Sequence, residues 1–342
     1  MIKTWVFEFL YAPDSQGETI TPQTATAVFD KGVALWQRMD ALGYEGIFFS
    51  EHHFGLSYSP SPNLLIAAVA RTTTRLRLGT MGVVLPFYQP WRVLEEIGML
   101  DHLTGGRLEI GCASGVPQEI AKTGLGAEES RERFNETLAI LDAWLAEPVI
   151  SHQGRYYNFE ALRIVPRPLQ QPPPKWTTVV SPASAIRSAR RGSKICTAFE
   201  GTGRIKEIFD AYRAEADRLG MPAGPDQLGI RRNITVADSE AEALERMNIA
   251  KEMTRKVTAG DPRVKAGASS LLDAKTGFTI HDDEFIGGTP AQVADQIIAQ
   301  CRATGAGHIV AILGRTLDEQ RIRAVELFGE QVIPILRKAE IV

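Results

Sequence analysis

Residues 43–54 read GYEGIFFSEHHF, and residues 76–86 read LRLGTMGVVLP. Each stretch starts as a short apolar run typical of a buried strand and ends in small or polar residues. A helical pattern near Pro62–Thr73 lies between them, and two parallel strands need such a crossover. The two stretches therefore predict a strand–helix–strand unit with its polar side chains at the strand ends.

The same alternation extends to both ends of the chain. A helical stripe at Glu128–Glu147 is the clearest, and a last helix is predicted over Leu317–Arg337. Eight strands, each followed by a helix, predict one α/β domain over residues 1–342, a closed (β/α)8 TIM barrel. The predicted strands are Thr4–Tyr11, Gly46–His53, Leu76–Leu85, Arg107–Ser114, Lys175–Ser181, Ile195–Phe199, Leu228–Ala237 and His308–Leu313.

Two segments interrupt the alternation. Residues 148–174 combine a short hairpin pattern with a proline-rich crossing, which indicates an excursion and not a second domain. Residues 258–288 are polar and glycine-rich, and connections of that length are usually lids or disordered. Two interpretations of this second insertion stay open: a lid over the catalytic face of the barrel, or a segment without a role.

Composition excludes several classes of partner. The chain is 44% hydrophobic and 23% charged with a net charge of -3, so it lacks the basic excess that nucleic acid binding requires. Cys112, Cys196 and Cys301 show no CxxC spacing, which fits a reducing compartment without disulfides. No apolar run is long enough for a membrane span. We expect a cytoplasmic protein with neither a nucleic acid nor a membrane partner.

Glu51, His52 and His53 end the second predicted strand, at the barrel mouth where functional side chains concentrate. Alternation along a strand places Glu51 and His53 on one face and His52 on the other. Because no third ligand stands at a suitable spacing, we predict no metal site. Imidazoles serve as general acids or bases near neutral pH. The alternatives are that at least one of the two histidines beside Glu51 is catalytic, or that both histidines are structural.

Small residues end the third and fourth predicted strands. Thr80, Met81 and Gly82 lie at one end, and Ser114 and Gly115 lie at the other. Without a Cβ, glycine lets a planar ligand approach the backbone closely. Two adjacent ends of this kind predict a slot, although each is also compatible with a simple turn.

The fifth strand leads into a helix through Ser181, Pro182 and Ser184. Serine as N-cap and proline at the first helical position leave hydroxyl and N–H donors at the positive end of the helix dipole. Arg187, one turn later, adds charge. This pattern fits a phosphate monoester, and it is also an ordinary helix start.

At these residues the sequence resembles the bacterial luciferase-like monooxygenases. The resemblance covers GYEGIFFSEHHF, the run from Leu76 to Gly115, SPASAIRSARRG from Ser181, and GGTPAQVADQI from Gly287. It implies a TIM barrel that uses reduced FMN and O2 to oxygenate a small organic substrate through a flavin C4a-hydroperoxide. It also implies a homodimer. Because no G-x-G-x-x-G follows a strand, we expect a separate NAD(P)H:flavin reductase to supply the FMN.

The resemblance also implies roles for individual residues. His52 matches the catalytic histidine, with Glu51 and His53 as polar groups of the pocket, and Met81-Gly82 matches a cis peptide beside the flavin ring. Phe199 is a candidate for packing near the flavin or for ordinary core. The remaining expected cofactor contacts are Thr80, Ser114 and Gly115 around the ring and ribityl chain, and Ser181, Ser184 and Arg187 at the phosphate.

The chain departs from the luciferases beside this site. Ala113 and Ser114 stand where those enzymes carry a reactive cysteine and a phosphate-binding arginine, so we predict no light emission. Two alternatives remain open. One is a deazaflavin (F420)-dependent oxidoreductase, and the other is a catalytically silent flavin-binding subunit.

Overall fold

The computed structural model describes residues 1–11, 21–55, 57–259 and 281–341. Its strands are β1 Lys3–Glu8, β2 Gly46–Phe49, β3 Arg77–Thr80, β4 Val83–Val84, β5 Leu108–Ala113, β6 Ile150–Gln153, β7 Asn158–Leu162, β8 Lys175–Val179, β9 Lys194–Thr197, β10 Leu228–Val236, β11 Phe285–Gly288 and β12 His308–Ile312. Its helices are α1 Pro22–Leu42, α2 Pro62–Ala70, α3 Pro90–Leu103, α4 Pro117–Lys122, α5 Ala127–Ala146, α6 Pro182–Arg190, α7 Thr202–Arg218, α8 Glu240–Ala259, α9 Pro290–Thr304, α10 Glu319–Leu327 and α11 Ile333–Lys338.

Within these residues, eight parallel strands close into a barrel. The strands follow the order β1, β2, β3, β5, β8, β9, β10 and β12, and β12 pairs with β1. Closure between β9 and β10 is made where Ile195 pairs with Leu228. The barrel and its eight strand positions are thus confirmed, with helices covering the outside.

The amino-terminal half of the barrel interior is filled by large rings. Trp5 stacks on Phe48 with ring centroids 4.5 Å apart, and Trp176 meets Phe48 edge-on at 5.3 Å. Trp5 donates its indole N–H to Nδ1 of His308 at 2.9 Å. All four side chains are buried. These described side chains therefore fill the base of the barrel interior.

Several strands end earlier than predicted. The third strand, predicted to be continuous over Leu76–Leu85, is split into β3 and β4 by a cis peptide between Met81 and Gly82. β2 stops at Phe49, and Phe54, further along the same loop, takes a left-handed conformation. The residues of the Glu51-His52-His53 motif therefore lie in the loop after β2.

The two insertions have different outcomes. Residues 148–174 contain the antiparallel hairpin of β6 and β7. Of the segment 258–288, residues 260–280 lie outside the described residues. Its last part is not a loop, as predicted, but the parallel strand β11, which pairs with Asn233–Val236 of β10. The prediction was wrong there because a four-residue strand leaves little periodicity to read.

The closing helix is not continuous, in contrast to its prediction as one helix. A π-helical turn, Phe328–Val332, separates α10 from α11. Pro334 stands at the start of α11. Proline has no N–H and clashes with the carbonyl four residues earlier, so the preceding turn widens.

Candidate active site

Glu51 is the fixed centre of the loop after β2. Its side chain is fully buried and accepts a hydrogen bond from the Val84 N–H at 3.0 Å and from the Tyr88 hydroxyl at 3.1 Å. Its Oε1 also lies 2.9 Å from Nε2 of His53. This hydrogen bond, joined by the nearby charge of Glu51, raises the pKa of His53. Glu51 and His53 therefore act as one hydrogen-bonded unit at the rim.

His52 is hydrogen-bonded to a different carboxylate, that of Glu119. Its ring stacks on Phe9 with centroids 5.7 Å apart and 15° between planes, and Nδ1 lies 3.0 Å from Oε1 of Glu119. Because a carboxylate accepts, Nδ1 carries the proton of this bond, and in neutral His52 the lone pair lies on Nε2. Sequence reasoning separated His52 from Glu51 and His53, and the structure also keeps them apart. It missed Glu119, which no motif marks.

Arg231 and Arg315 lie against aromatic rings at the same rim. The guanidinium carbon of Arg231, which projects from β10, is 4.2 Å from the ring centroid of Phe199. That of Arg315, after β12, is 4.4 Å from the centroid of Phe9. Phe199 has a φ of +68° and donates its N–H to Glu284 at 3.2 Å. Phe199, proposed from the sequence, thus lies at the rim and not in the ordinary core.

The glycines of the third and fourth strands serve strand packing. A Cβ at Gly111 would lie 1.8 Å from the Thr80 carbonyl oxygen, and a Cβ at Gly82 would lie 2.7 Å from backbone atoms of Cys112. The Thr80 hydroxyl donates to the Gly111 carbonyl at 2.6 Å. The neighbouring strand fills the space that a side chain would take at these glycines, and the slot for a planar ligand stays a prediction.

The end of β5 forms a turn. The Ser114 carbonyl accepts from the Ser130 hydroxyl at 2.9 Å, and Gly115 has a φ of +86°. A Cβ at Gly115 would lie 2.7 Å from Cδ1 of Ile120. Burial raises the pKa of the nearby Cys112 thiol to about 12, so this cysteine stays protonated and unreactive at neutral pH.

Ser181 and Ser184 form a capping box at the start of α6. The Ser184 N–H donates to the Ser181 hydroxyl at 3.3 Å, and the Ser184 hydroxyl donates to the Ser181 carbonyl at 2.8 Å. Arg187 is exposed on the same helix. The ordinary helix start is therefore present. Binding of a phosphate by these residues stays a prediction.

Sequence reasoning missed the arginines and Glu284. Arg231 and Arg232 interrupt the apolar pattern of β10, LGIRRNITV, and this was the available signal. Glu284 accepts from Arg231 at 2.8 Å, from Arg232 at 3.1 Å and from Asn233 at 3.0 Å. It precedes β11, the strand that was itself missed.

The chain belongs to the luciferase-like monooxygenase family, whose profile matches residues 8–308. It is 30% identical over 229 residues to the oxygenase component of the flavin-dependent trigonelline monooxygenase of Acinetobacter baylyi, covering 65% of this chain and 63% of the relative. It is 24% identical to limonene 1,2-monooxygenase of Rhodococcus erythropolis, over 91% of this chain and 82% of that enzyme.

Solved structures share the fold. The monooxygenase RslO1 of Streptomyces bottropensis superposes with a TM-score of 0.83 at 24% identity, covering 97% of this chain and 99% of that one. The oxygenating constituent of 3,6-diketocamphane monooxygenase from Pseudomonas putida, solved with FMN, gives 0.77 at 21% identity, with 98% of each chain covered.

The described residues contain neither a membrane-spanning helix nor a metal-binding cluster. None of their helices combines the length and apolar character needed to cross a bilayer. Nor do their histidine, cysteine and carboxylate side chains form a group of three or more that could hold a metal ion.

Proposed function

We propose that this chain is the oxygenase component of a two-component monooxygenase. It takes reduced FMN from a separate NAD(P)H:flavin reductase and uses O2 to oxygenate a small organic substrate. The observation that carries the proposal is His52, held at the barrel rim between Phe9 and Glu119 in a member of the luciferase-like family. Bound reduced flavin would supply the electrons that activate O2.

The residues at the rim fit FMN by their chemistry. The first turn of α6 offers hydroxyls and the positive end of a helix dipole, with the exposed Arg187 one turn on. Met81 belongs to a buried apolar cluster with Phe7 and Phe9, which suits the flavin ring. Because Ser114 replaces the arginine of the luciferases, Ser181, Ser184 and Arg187 are the proposed phosphate ligands.

In the proposed reaction His52 would transfer a proton, and the apolar side chains near it would exclude water. With Nδ1 engaged by Glu119, Nε2 of His52 is the atom that accepts or returns a proton. Phe9 and Met81 line the interior with apolar surface, which excludes water from the reacting centre. Glu51, bound to the Val84 N–H, holds the loop that carries both histidines.

Anaerobic titration with flavin tests the proposal. We expect reduced FMN to bind more tightly than oxidised FMN, and we expect the protein with reduced FMN, O2 and a substrate panel to form an oxygenated product. Tighter binding of oxidised flavin would contradict the two-component scheme. Peroxide as the only product, together with an unaffected His52→Ala variant, would favour the silent flavin-binding subunit. Selective binding of F420, followed by its absorbance, would favour the deazaflavin alternative.

We also propose a homodimer. α2 and α3 pack against each other and expose large apolar side chains: Leu64 is 70% exposed, Met99 is 51% exposed, and Trp91 and Leu103 are also exposed. Apolar side chains clustered on the surface are typical of an association face. Light scattering should give twice the chain mass, and Met99→Lys with Leu64→Lys should give the monomer mass. A monomeric parent protein would contradict this proposal.

A further inference from the structure

Arg231 and Arg315 are not both matched by a carboxylate of their own. Glu284 is shared by Arg231 and Arg232. Among the described residues, Arg315 forms no ion pair with a carboxylate; its side-chain partner is the Tyr11 hydroxyl. Glu284 therefore pairs with two guanidinium groups, and no described carboxylate pairs with the third. Buried charge of one sign is costly unless a counter-charge joins it.

Arg231 also has an unused donor. The residue is 4% exposed, and its Nε has no hydrogen-bond partner in the described part of the chain. A buried N–H without an acceptor is unfavourable, and such groups are rare in folded proteins. An acceptor bound at the Arg231 Nε–H would relieve this defect. Burial lowers the pKa of Arg315, and repulsion by the positive charge of Arg231 lowers it further.

Both arginines lie against aromatic rings. Arg231 covers the face of Phe199, and Arg315 covers that of Phe9. Phe9 in turn stacks on His52. A molecule bound by Arg315 would therefore lie near His52, because both side chains contact Phe9.

We propose that Arg231 and Arg315 bind the carboxylate of a small organic acid at the barrel rim. Guanidinium groups match carboxylates through paired, charge-assisted hydrogen bonds, and Arg231 retains a free Nε–H for this purpose. The identification of this acid as the substrate rests on the proposed function, whereas its binding to the protein does not.

The phosphate of FMN is another possible anion, so the experiment separates the two sources. Isothermal titration of flavin-free protein uses benzoate and nicotinate, each compared with its carboxamide. We expect each carboxylate to bind at least about tenfold more tightly than its amide. Arg315→Gln and Arg231→Gln should each reduce that ratio below about threefold. The control Arg323→Gln, which removes a surface cation paired with Asp238, should leave it unchanged.

Thermal unfolding of both variants identifies any loss of fold, and Arg315→Gln keeps the test valid if the buried Arg231→Gln variant unfolds. Equal affinity or no binding for acid and amide in the parent protein would overturn the inference. So would a ratio that Arg315→Gln leaves unchanged. If Arg315→Gln instead removes a preference for FMN over riboflavin, the arginines hold the flavin phosphate and the inference is wrong. Failure of FMN to bind while the acids bind would overturn the proposed function alone.

Discussion

His52 and Glu119 come from different segments of the rim, and their side chains meet with Nδ1 and Oε1 3.0 Å apart. Glu119 lies on the short helix α4, 67 residues further along the chain. Its other oxygen, Oε2, is buried without a partner in the described residues. A carboxylate in this position fixes the tautomer of the imidazole, because it accepts and does not donate.

Glu119→Gln removes that constraint, since an amide NH2 can donate to Nδ1. We expect the neutral His52 ring to shift toward the tautomer with its proton on Nε2. We also expect turnover to fall about tenfold or more with little change in KM, because general acid–base catalysis contributes about a hundredfold or more. Imidazole ¹⁵N NMR reads the tautomer without a substrate. Exposed Glu128→Gln on α5 is the matched control. An unchanged His52 tautomer in Glu119→Gln would contradict this role.

Ser181→Asp separates capping from phosphate binding at α6. Aspartate is as good an N-cap as serine, so the free energy of unfolding should change by less than about 0.5 kcal/mol, whereas Ser181→Ala should cost about 1 kcal/mol. The added negative charge should weaken FMN at least about tenfold and leave riboflavin unaffected. Ser239→Asp, the same change where the Ser239 hydroxyl accepts from the Glu242 N–H, is the control. Equal weakening of FMN and riboflavin would place the phosphate elsewhere.

His53 should make stability depend on pH above neutrality. Its hydrogen bond with Glu51 raises the pKa of His53 in the folded protein above the ordinary value of 6.5. The stabilisation is therefore full below pH 6.5 and is lost as pH rises through the folded pKa. Denaturant unfolding should show that His53→Gln costs more at pH 6 than at pH 9. In a Glu51→Gln background this dependence should disappear, and its persistence there would argue against the pair.

His308, at the base of the barrel, should give stability the opposite pH dependence from His53. Burial lowers the pKa of His308, and its Nδ1 accepts the Trp5 N–H. Below pH 6.5 His308 is protonated in the unfolded chain but stays neutral in the folded protein until its lower pKa is reached. The stabilisation is therefore lost as the pH falls. His308→Gln should therefore cost more at pH 7.5 than at pH 5.5. A larger cost at pH 5.5 would mean that His308 is charged when folded.

The barrel could be predicted from the sequence because its strands are buried apolar runs separated by amphipathic helices. The exceptions are short or locally bent elements. β11 has four residues, and the cis peptide at Met81-Gly82 divides a run whose apolar pattern is continuous. Hydrophobic periodicity reports burial, and it does not report where the backbone turns.

The candidate site was predicted only in part, for a related reason. Glu51, His52 and His53 form a contiguous motif, so their position at a strand end was readable. Glu119 and Arg315 reach the same rim from distant loops, and only the folded chain brings them together. The glycines at the strand ends predicted that another group approaches the backbone closely there. Only the coordinates show that this group is the adjacent strand.

The rings of Trp5, Phe48 and Trp176 fill the amino-terminal half of the barrel interior in the part of the chain that the structure describes. In the proposed reaction, substrate and product would share the carboxyl end of the barrel, and each product molecule would have to leave before the next substrate binds. We therefore expect product release to contribute to the turnover rate, and substitutions that raise turnover should lie in the loops at that end.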